Sequence, residues 1–343
     1  LYILTEFAIN FSNFIENGFE NISYSWDTFF MTHYDHILLI GFGGPEKADD
    51  ILPFLKNVTK GRNIPDERLQ IVSHHYEKIG GLSPYNAWAN QLKNKLQDEC
   101  LKGGIKLPIY LGMRNWHPYL KDTISEVKKN HHQKGIAIIL ASHKSPPSCY
   151  RYKENVKDAQ REENAEYIQY SYLPEWHQNP LFIEAQVNQI IKKLNKLSPI
   201  EKKKILPIFT AHSIPSESDT ACHSCHYSAS FIQTCEAIAR KLCFSNWAYA
   251  YQSRSGNPRQ AWLEPDILQK IEECKNDYMG VMIIPVGFLS DNAEVLYDLD
   301  IEAKEVCSKN NLAYHRPSTL ELEPTFIHML SEEIQKMILQ SKN

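Results

Sequence analysis

Seven short apolar runs, each set apart from the next by a longer stretch of mixed polarity, constrain this chain more than any other feature. They are HILLIGF (36–42), LPIYLGM (107–113), GIAIILA (135–141), EYIQYSY (166–172), ILPIFTA (205–211), WAYAYQS (247–253) and GVMIIPVGF (280–288). Each has the length and the β-branched or aromatic content of a strand. Most lack the strict alternation of a strand with one wet face, so they predict strands covered on both sides. The stretches between them carry the three-to-four-residue apolar spacing of amphipathic helices, as over 47–58, 84–102, 118–130, 180–197, 227–243, 292–309 and 324–339. Strands that alternate with helices build βαβ units, and these build parallel sheets. The expected fold class is α/β.

The alternation occurs twice, over 34–195 and over 203–343, with the polar, proline-containing segment KLSPIEKKK (196–204) between. Two Rossmann-like domains facing a cleft are therefore expected. In such folds ligands sit beyond the carboxyl ends of the strands. The loops at those ends are GGPE (43–46), RNWHP (114–118), SHKSPPS (142–148), HSIPS (212–216), RSGNP (254–258) and SDNAE (290–294). Gly43-Gly44-Pro45 is not the G-x-G-x-x-G of a dinucleotide site, and no P-loop is present, so no nucleotide cofactor is expected.

Composition narrows the function class further. A net charge of −4 offers no electrostatic footprint for nucleic acid. No apolar run approaches the roughly 20 residues that span a bilayer, so no transmembrane segment is expected. Eight cysteines in 343 residues are too sparse for a disulfide scaffold, which points to a reducing, cytoplasmic compartment. The first thirty residues hold no Lys or Arg and many aromatics, and they match no secretory signal. Residues 1–33 are expected to be an extension outside the fold, translated from an upstream start.

The chemistry concentrates in PVGFLSDNAEVLYDLDIEAKE (285–305), which reads as a strand running through a loop into a helix. Glu294, Asp298 and Glu302 recur at i, i+4 and i+8, which stacks three carboxylates on one helix face. Like charges so placed cost helix stability, and a hard divalent cation would relieve them. Glu294 also has a plainer explanation. Asp291-x-x-Glu294 has the spacing of a capping box, with Asp291 as the N-cap. His212 ends the strand 205–211, and a neutral imidazole there could accept a proton or bind a transition metal. The plainer reading is a histidine that fixes its own loop, since no second histidine lies at zinc spacing.

Read together, GFGGPE (41–46), FLKNVTKGR (54–62), YEKIGGLSP (76–84), YLGMRNWHP (110–118), FTAHSIP (209–215), YQSRSGNPRQAWLEPD (251–266) and the stretch 285–305 resemble the ferrochelatase family, in the family's order, over about 34–339. The resemblance implies the class II chelatase fold and the insertion of Fe2+ into a free-base porphyrin, protoporphyrin IX or coproporphyrin III, in haem synthesis. It implies His212 and Glu294 as the catalytic pair, and Glu294, Asp298 and Glu302 as a path for the incoming ion. It places porphyrin contacts at Arg68, Tyr76 and Ser83, with Tyr152 in the same cleft and Arg114 and Trp116 at its rim. Phe42 stands where some relatives carry a tyrosine, and Thr59 and His75 where some bacterial relatives carry arginine. Two other readings stay open: a chelatase for another metal or tetrapyrrole, and a carrier without catalysis.

The cysteines add one cofactor expectation. Cys222-x-x-Cys225 is followed by Cys235, and Cys149 lies where some cluster-bearing relatives have a ligand. Four thiolates would hold a [2Fe–2S] cluster on Cys149, Cys222, Cys225 and Cys235, with Cys243 as a substitute. Free thiols, or a zinc site with His223 or His226, are the alternatives.

Overall fold

The computed structural model describes residues 33–61, 64–221, 225–255 and 260–341. Apart from its last residue, the expected extension 1–33 lies outside them. Four strands form the first sheet: β1 (His36–Gly41), β2 (Ile109–Met113), β3 (Lys134–Ile139) and β4 (Gln169–Tyr172), in the order β2-β1-β3-β4. Four more form the second: β5 (Ile205–His212), β6 (Ala248–Gln252), β7 (Gly280–Ile284) and β8 (Ala313–His315), in the order β6-β5-β7-β8. All the pairings between these strands are parallel. In each sheet the first strand in sequence is flanked on both sides, and the chain winds outward from it in both directions. This is the doubly wound α/β arrangement that the alternation predicts.

The continuous apolar runs have a direct cause. In β1, Ile37 and Leu39 face one core, with Trp88, Leu92 and Leu96. Leu38 and Ile40 face another, with Leu120, Ile124 and Val127. Alternate side chains of a strand point to opposite faces, and both faces here are covered by helices, so every position is apolar.

The C-terminal helix Pro324–Gln340 packs on the helices Tyr85–Lys102 and Pro180–Leu194. It buries Phe326, Met329, Leu330 and Ile334 completely. The indole of Trp88 donates to the Glu321 carbonyl at 3.1 Å, and the Gln189 amide to the Leu320 carbonyl at 2.9 Å. The end of the chain thus clasps its first half and ties the two halves together. No helix among the described residues is long and apolar enough to cross a membrane.

Several elements carry no periodic signal. The helix Asp66–Lys78 buries only Leu69, so no apolar stripe marks it. The segment 196–204 is not all linker: Ser198 and Glu201 form a capping box that starts the short helix Pro199–Lys204. Strand β8 is three residues long and too short to show a pattern.

Candidate active site

His212 is the last residue of β5, opposite Gln252 of β6. Because β5 and β7 are neighbours, the loop after β7 brings Glu294 to the same edge. His212 Nε2 lies 3.5 Å from Glu294 Oε1. The other ring nitrogen, Nδ1, lies 2.5 Å from the Ser213 carbonyl oxygen. A carbonyl only accepts, so Nδ1 carries a proton and Nε2 is the atom that gains or loses one. Tyr227 donates its hydroxyl to the His212 carbonyl at 2.8 Å, which fixes the backbone beneath the ring. The His212 and Glu294 side chains keep 31% and 42% exposure, so the pair lines an open cleft.

Charge in this cleft is strongly redistributed. Burial alone pushes the His212 imidazole down, but the Glu294 carboxylate, the Ser213 carbonyl and the charge of Asp298 outweigh it and hold the ring up at about 9. Burial pushes Glu294 up, yet His212 and the Asn292 amide, which donates to Oε2 at 3.1 Å, keep it below the ordinary carboxylate range. Burial, helped by the charges of Glu294 and Glu302, lifts Asp298 to about 7, against the hydroxyl of Ser253 that bonds its Oδ2. Glu302 is raised as well, chiefly by burial.

The three acids lie on a π-helix or immediately before it. Val295–Ala303 has the wide i→i+5 turn, and the chain returns to α-helix over Lys304–Lys309. Such windings are rare and gather at functional sites. The expected capping box is not formed. Asn292 is the cap, its Oδ1 accepting from the Val295 amide at 3.0 Å. Asp291 instead accepts from Arg316 at 3.1 and 3.0 Å and from the Thr319 hydroxyl at 2.9 Å. The reason is that Arg316, only 11% exposed, needs charge partners, and Asp291 and Asp300 supply them. Glu294 is left free of capping duty, with its carboxylate turned to His212.

The first half supplies the opposite wall. Phe42, Phe54, Tyr76 and Trp116 form one apolar cluster, with Phe54 edge-on to the other three at 6.1–6.2 Å. Burial raises the Tyr76 and Tyr152 phenols, and the negative charge of Glu294 adds to both shifts. The Arg114 guanidinium lies 4.6 Å over the Tyr152 ring, and its Nε donates to Asn155 at 2.7 Å. Arg68 stands exposed on the helix Asp66–Lys78. Ser83 is 5% exposed and packs behind the Gly43-Gly44 loop, where a Cβ on Gly44 would fall 2.8 Å from the Ser83 Cβ. The two departures from arginine are occupied elsewhere. Thr59 donates its hydroxyl to the Leu55 carbonyl at 2.7 Å, and His75 stacks on Tyr297 of the π-helix at 3.8 Å.

Cys235 is fully buried, in the same core cluster as Phe231, Ile238 and Tyr251, and burial pushes its thiol well up. Cys225 is also buried. Cys222 and the side chain of Cys149 lie outside the described residues. Cys243 does not fit as a substitute ligand, because it is exposed beyond the far end of the helix Tyr227–Lys241, whose near end adjoins Cys225. A helix of that length separates the two by roughly 20 Å, too far for one cluster.

Four residues of the site have no distinct sequence signal. Gln252, fully buried, donates to the Glu294 carbonyl at 3.3 Å. Ser253, at φ 63°, reaches Asp298. Tyr297 and Arg316 dock and anchor the π-helix. Only Asn292 and Tyr297, two residues before and three after Glu294, stand close enough to a named site residue for spacing to suggest them.

Comparison with known proteins agrees with this geometry. A family model described as Ferrochelatase matches residues 34–338. A ferrochelatase of Rhodopirellula baltica is 37% identical over 311 residues, covering 89% of this chain and 86% of that protein. A coproporphyrin III ferrochelatase of Nocardia farcinica is 34% identical, covering 86% of each. The solved structure of SirB from Bacillus subtilis with Fe3+ has a TM-score of 0.55 at 9% identity, covering 90% of this chain and 97% of that one, a likeness of fold alone. On the extent of the family match and these identities, the chain belongs to the ferrochelatase family.

Proposed function

We propose that this chain inserts Fe2+ into a free-base porphyrin at the His212–Glu294 edge of the cleft, as a step of haem biosynthesis. The carrying observation is the fixed tautomer of His212: Nδ1 is held by Ser213, and Nε2 faces Glu294 at 3.5 Å. Metallation removes two pyrrole protons, so the site needs a proton acceptor that is switched on by the metal. With the cleft empty, Glu294 keeps the proton on His212. A dication drawn to Glu294 cancels that field, so Nε2 first gives up its own proton outward by way of Asp298 and then takes the two pyrrole protons in turn, passing each along the same way. Asp298, lifted to about 7, and Glu302 lead the ion in and hand protons outward. Tyr76 and Tyr152 line the macrocycle, and Arg68 and Arg114 offer forked donors to propionates. Ser83 acts from behind the Gly44 loop.

Coproporphyrin III is the porphyrin favoured by the names of several relatives; kcat/KM measured for it and for protoporphyrin IX decides between the two. Segments 34–195 and 203–343 are read as the two domains, with the C-terminal helix lent to the first. The same reading carries a [2Fe–2S] cluster on Cys149, Cys222, Cys225 and Cys235, tested by visible absorbance and by iron and sulfide near two each per chain. It also places the chain in the cytoplasm, which cell fractionation tests. The test of the whole is an insertion assay with Fe2+, and with other divalent ions, on wild type and His212→Ala. Loss of turnover in the variant by about 100-fold or more supports the reading. Equal product from both refutes it, and binding without product in wild type identifies a carrier.

A further inference from the structure

The amino-terminal edge of the first sheet, opposite the edge that faces the cleft, holds a second cluster of ligating side chains. Asp35 precedes β1, His36 opens it, and His132 lies in the loop that leads into β3. Asp35 Oδ1 is 2.6 Å from His36 Nδ1 and 3.8 Å from His132 Nδ1. One ligand atom from each of the three lies within 4.8 Å of the others. Asp35 Oδ2 accepts from the amides of Gln133 and Lys134 at 2.7 and 3.2 Å, which turns Oδ1 toward the two imidazoles. Oδ1 also takes a long contact from the Lys134 amide at 3.3 Å.

We propose that Asp35, His36 and His132 bind one divalent transition-metal ion, of the Zn2+, Co2+ or Ni2+ class. Two imidazoles and a carboxylate are ligands such ions take. An ion roughly 2.1 Å from each ligand in tetrahedral geometry holds the ligand atoms about 3.4 Å apart. The two separations from Oδ1 bracket that spacing. The outer partners are also present. The Tyr170 hydroxyl bonds His36 Nε2 at 3.0 Å, so metal on Nδ1 leaves the ring proton on Nε2, donated to Tyr170. His36 is wholly buried, while His132 keeps 20% exposure and opens a path from solvent. His132 stacks on the His36 ring at 5.4 Å and meets Tyr110 edge-on at 5.8 Å, and this packing sets its Nδ1 beside the Asp35–His36 pair. The ion would clip the start of β1 to the loop before β3.

Calorimetric titration of the full, tag-free chain with Zn2+ tests this, with His132→Ala as the comparison. Wild type is expected to take up one more ion per chain than the variant, at equal iron-insertion turnover. Tyr170→Phe is expected to weaken that extra site by about 10–100-fold, as loss of an outer partner does. Co2+ should give a wild-type-minus-variant spectrum with the visible bands of a tetrahedral site without thiolate. If His132→Ala fails to fold, judged by loss of turnover, His132→Gln takes its place under the same one-ion criterion. Equal stoichiometry in wild type and a folded variant overturns the proposal.

Discussion

Glu294→Gln removes the charge that faces His212 Nε2 while keeping the size of the side chain. In wild type, Glu294 is the foremost of the groups that raise the ring, and burial opposes them all. The rise from 6.5 to about 9 corresponds to roughly 3 kcal/mol of preference for the charged ring, at about 1.4 kcal/mol per pH unit. Solvent reaches both side chains, which are 31% and 42% exposed, so screening reduces the share carried by the pair to about 1–2 kcal/mol. The expected result is a His212 midpoint lowered by about one pH unit in the variant. The reporter is the ring itself, read by NMR from its Cε1–H resonance between pH 5 and 10. Asp298 and the Ser213 carbonyl still support the charged ring, so the midpoint should not collapse entirely. An unchanged midpoint would show that Glu294 does not control the proton on Nε2, and the metal-triggered acceptor would fall with it.

Other outcomes follow from the same geometry. The double variant Asp298→Asn/Glu302→Gln should raise KM for iron more than KM for porphyrin; steady-state kinetics that leave the iron KM untouched would remove the ion path. Stability should fall as pH rises, because Asp298 keeps its proton in the fold up to about 7 whereas it loses it near 3.8 when unfolded, and because the His212 contribution is full below 6.5 and lost through about 9. Urea midpoints measured from pH 4 to 9.5 check the sign, and His212→Ala should flatten the upper part of that slope. Arg316→Met should destabilise the chain by about 3 kcal/mol, because Asp291 and Asp300 lose their common partner in a half-buried setting; a denaturation midpoint near that of wild type would refute this.

The strands most legible in sequence are those whose burial is complete, while β4, with no buried residue, shows through its tyrosines. Strands β1, β5 and β7 are covered on both faces, so their composition reveals them. The helix Asp66–Lys78 leaves no pattern in sequence because it rests on one buried leucine and on an aromatic stack with a residue 222 positions away in sequence, as His75 meets Tyr297. For the site, His212 and Glu294 were legible through their motifs, and the acidic row through its spacing. The capping-box pattern misleads because Asp291 satisfies it equally well whether or not Arg316 is near. Nothing local distinguishes the two cases.

By itself, the sequence determined the α/β class, the parallel sheets and the types of residue available at the strand ends, because apolar periodicity reports burial and loop composition reports exposed chemistry. The tertiary structure decided which nitrogen of His212 faces the cleft, that Glu294 is freed from capping, and that Asp298 titrates near neutrality. Ser213 and Asn292 are near neighbours of the groups they hold, yet only the folded loops aim their atoms; Ser253 and Arg316 are 45 and 25 residues from their partners Asp298 and Asp291, and the strand order of the second sheet brings them within a few ångströms.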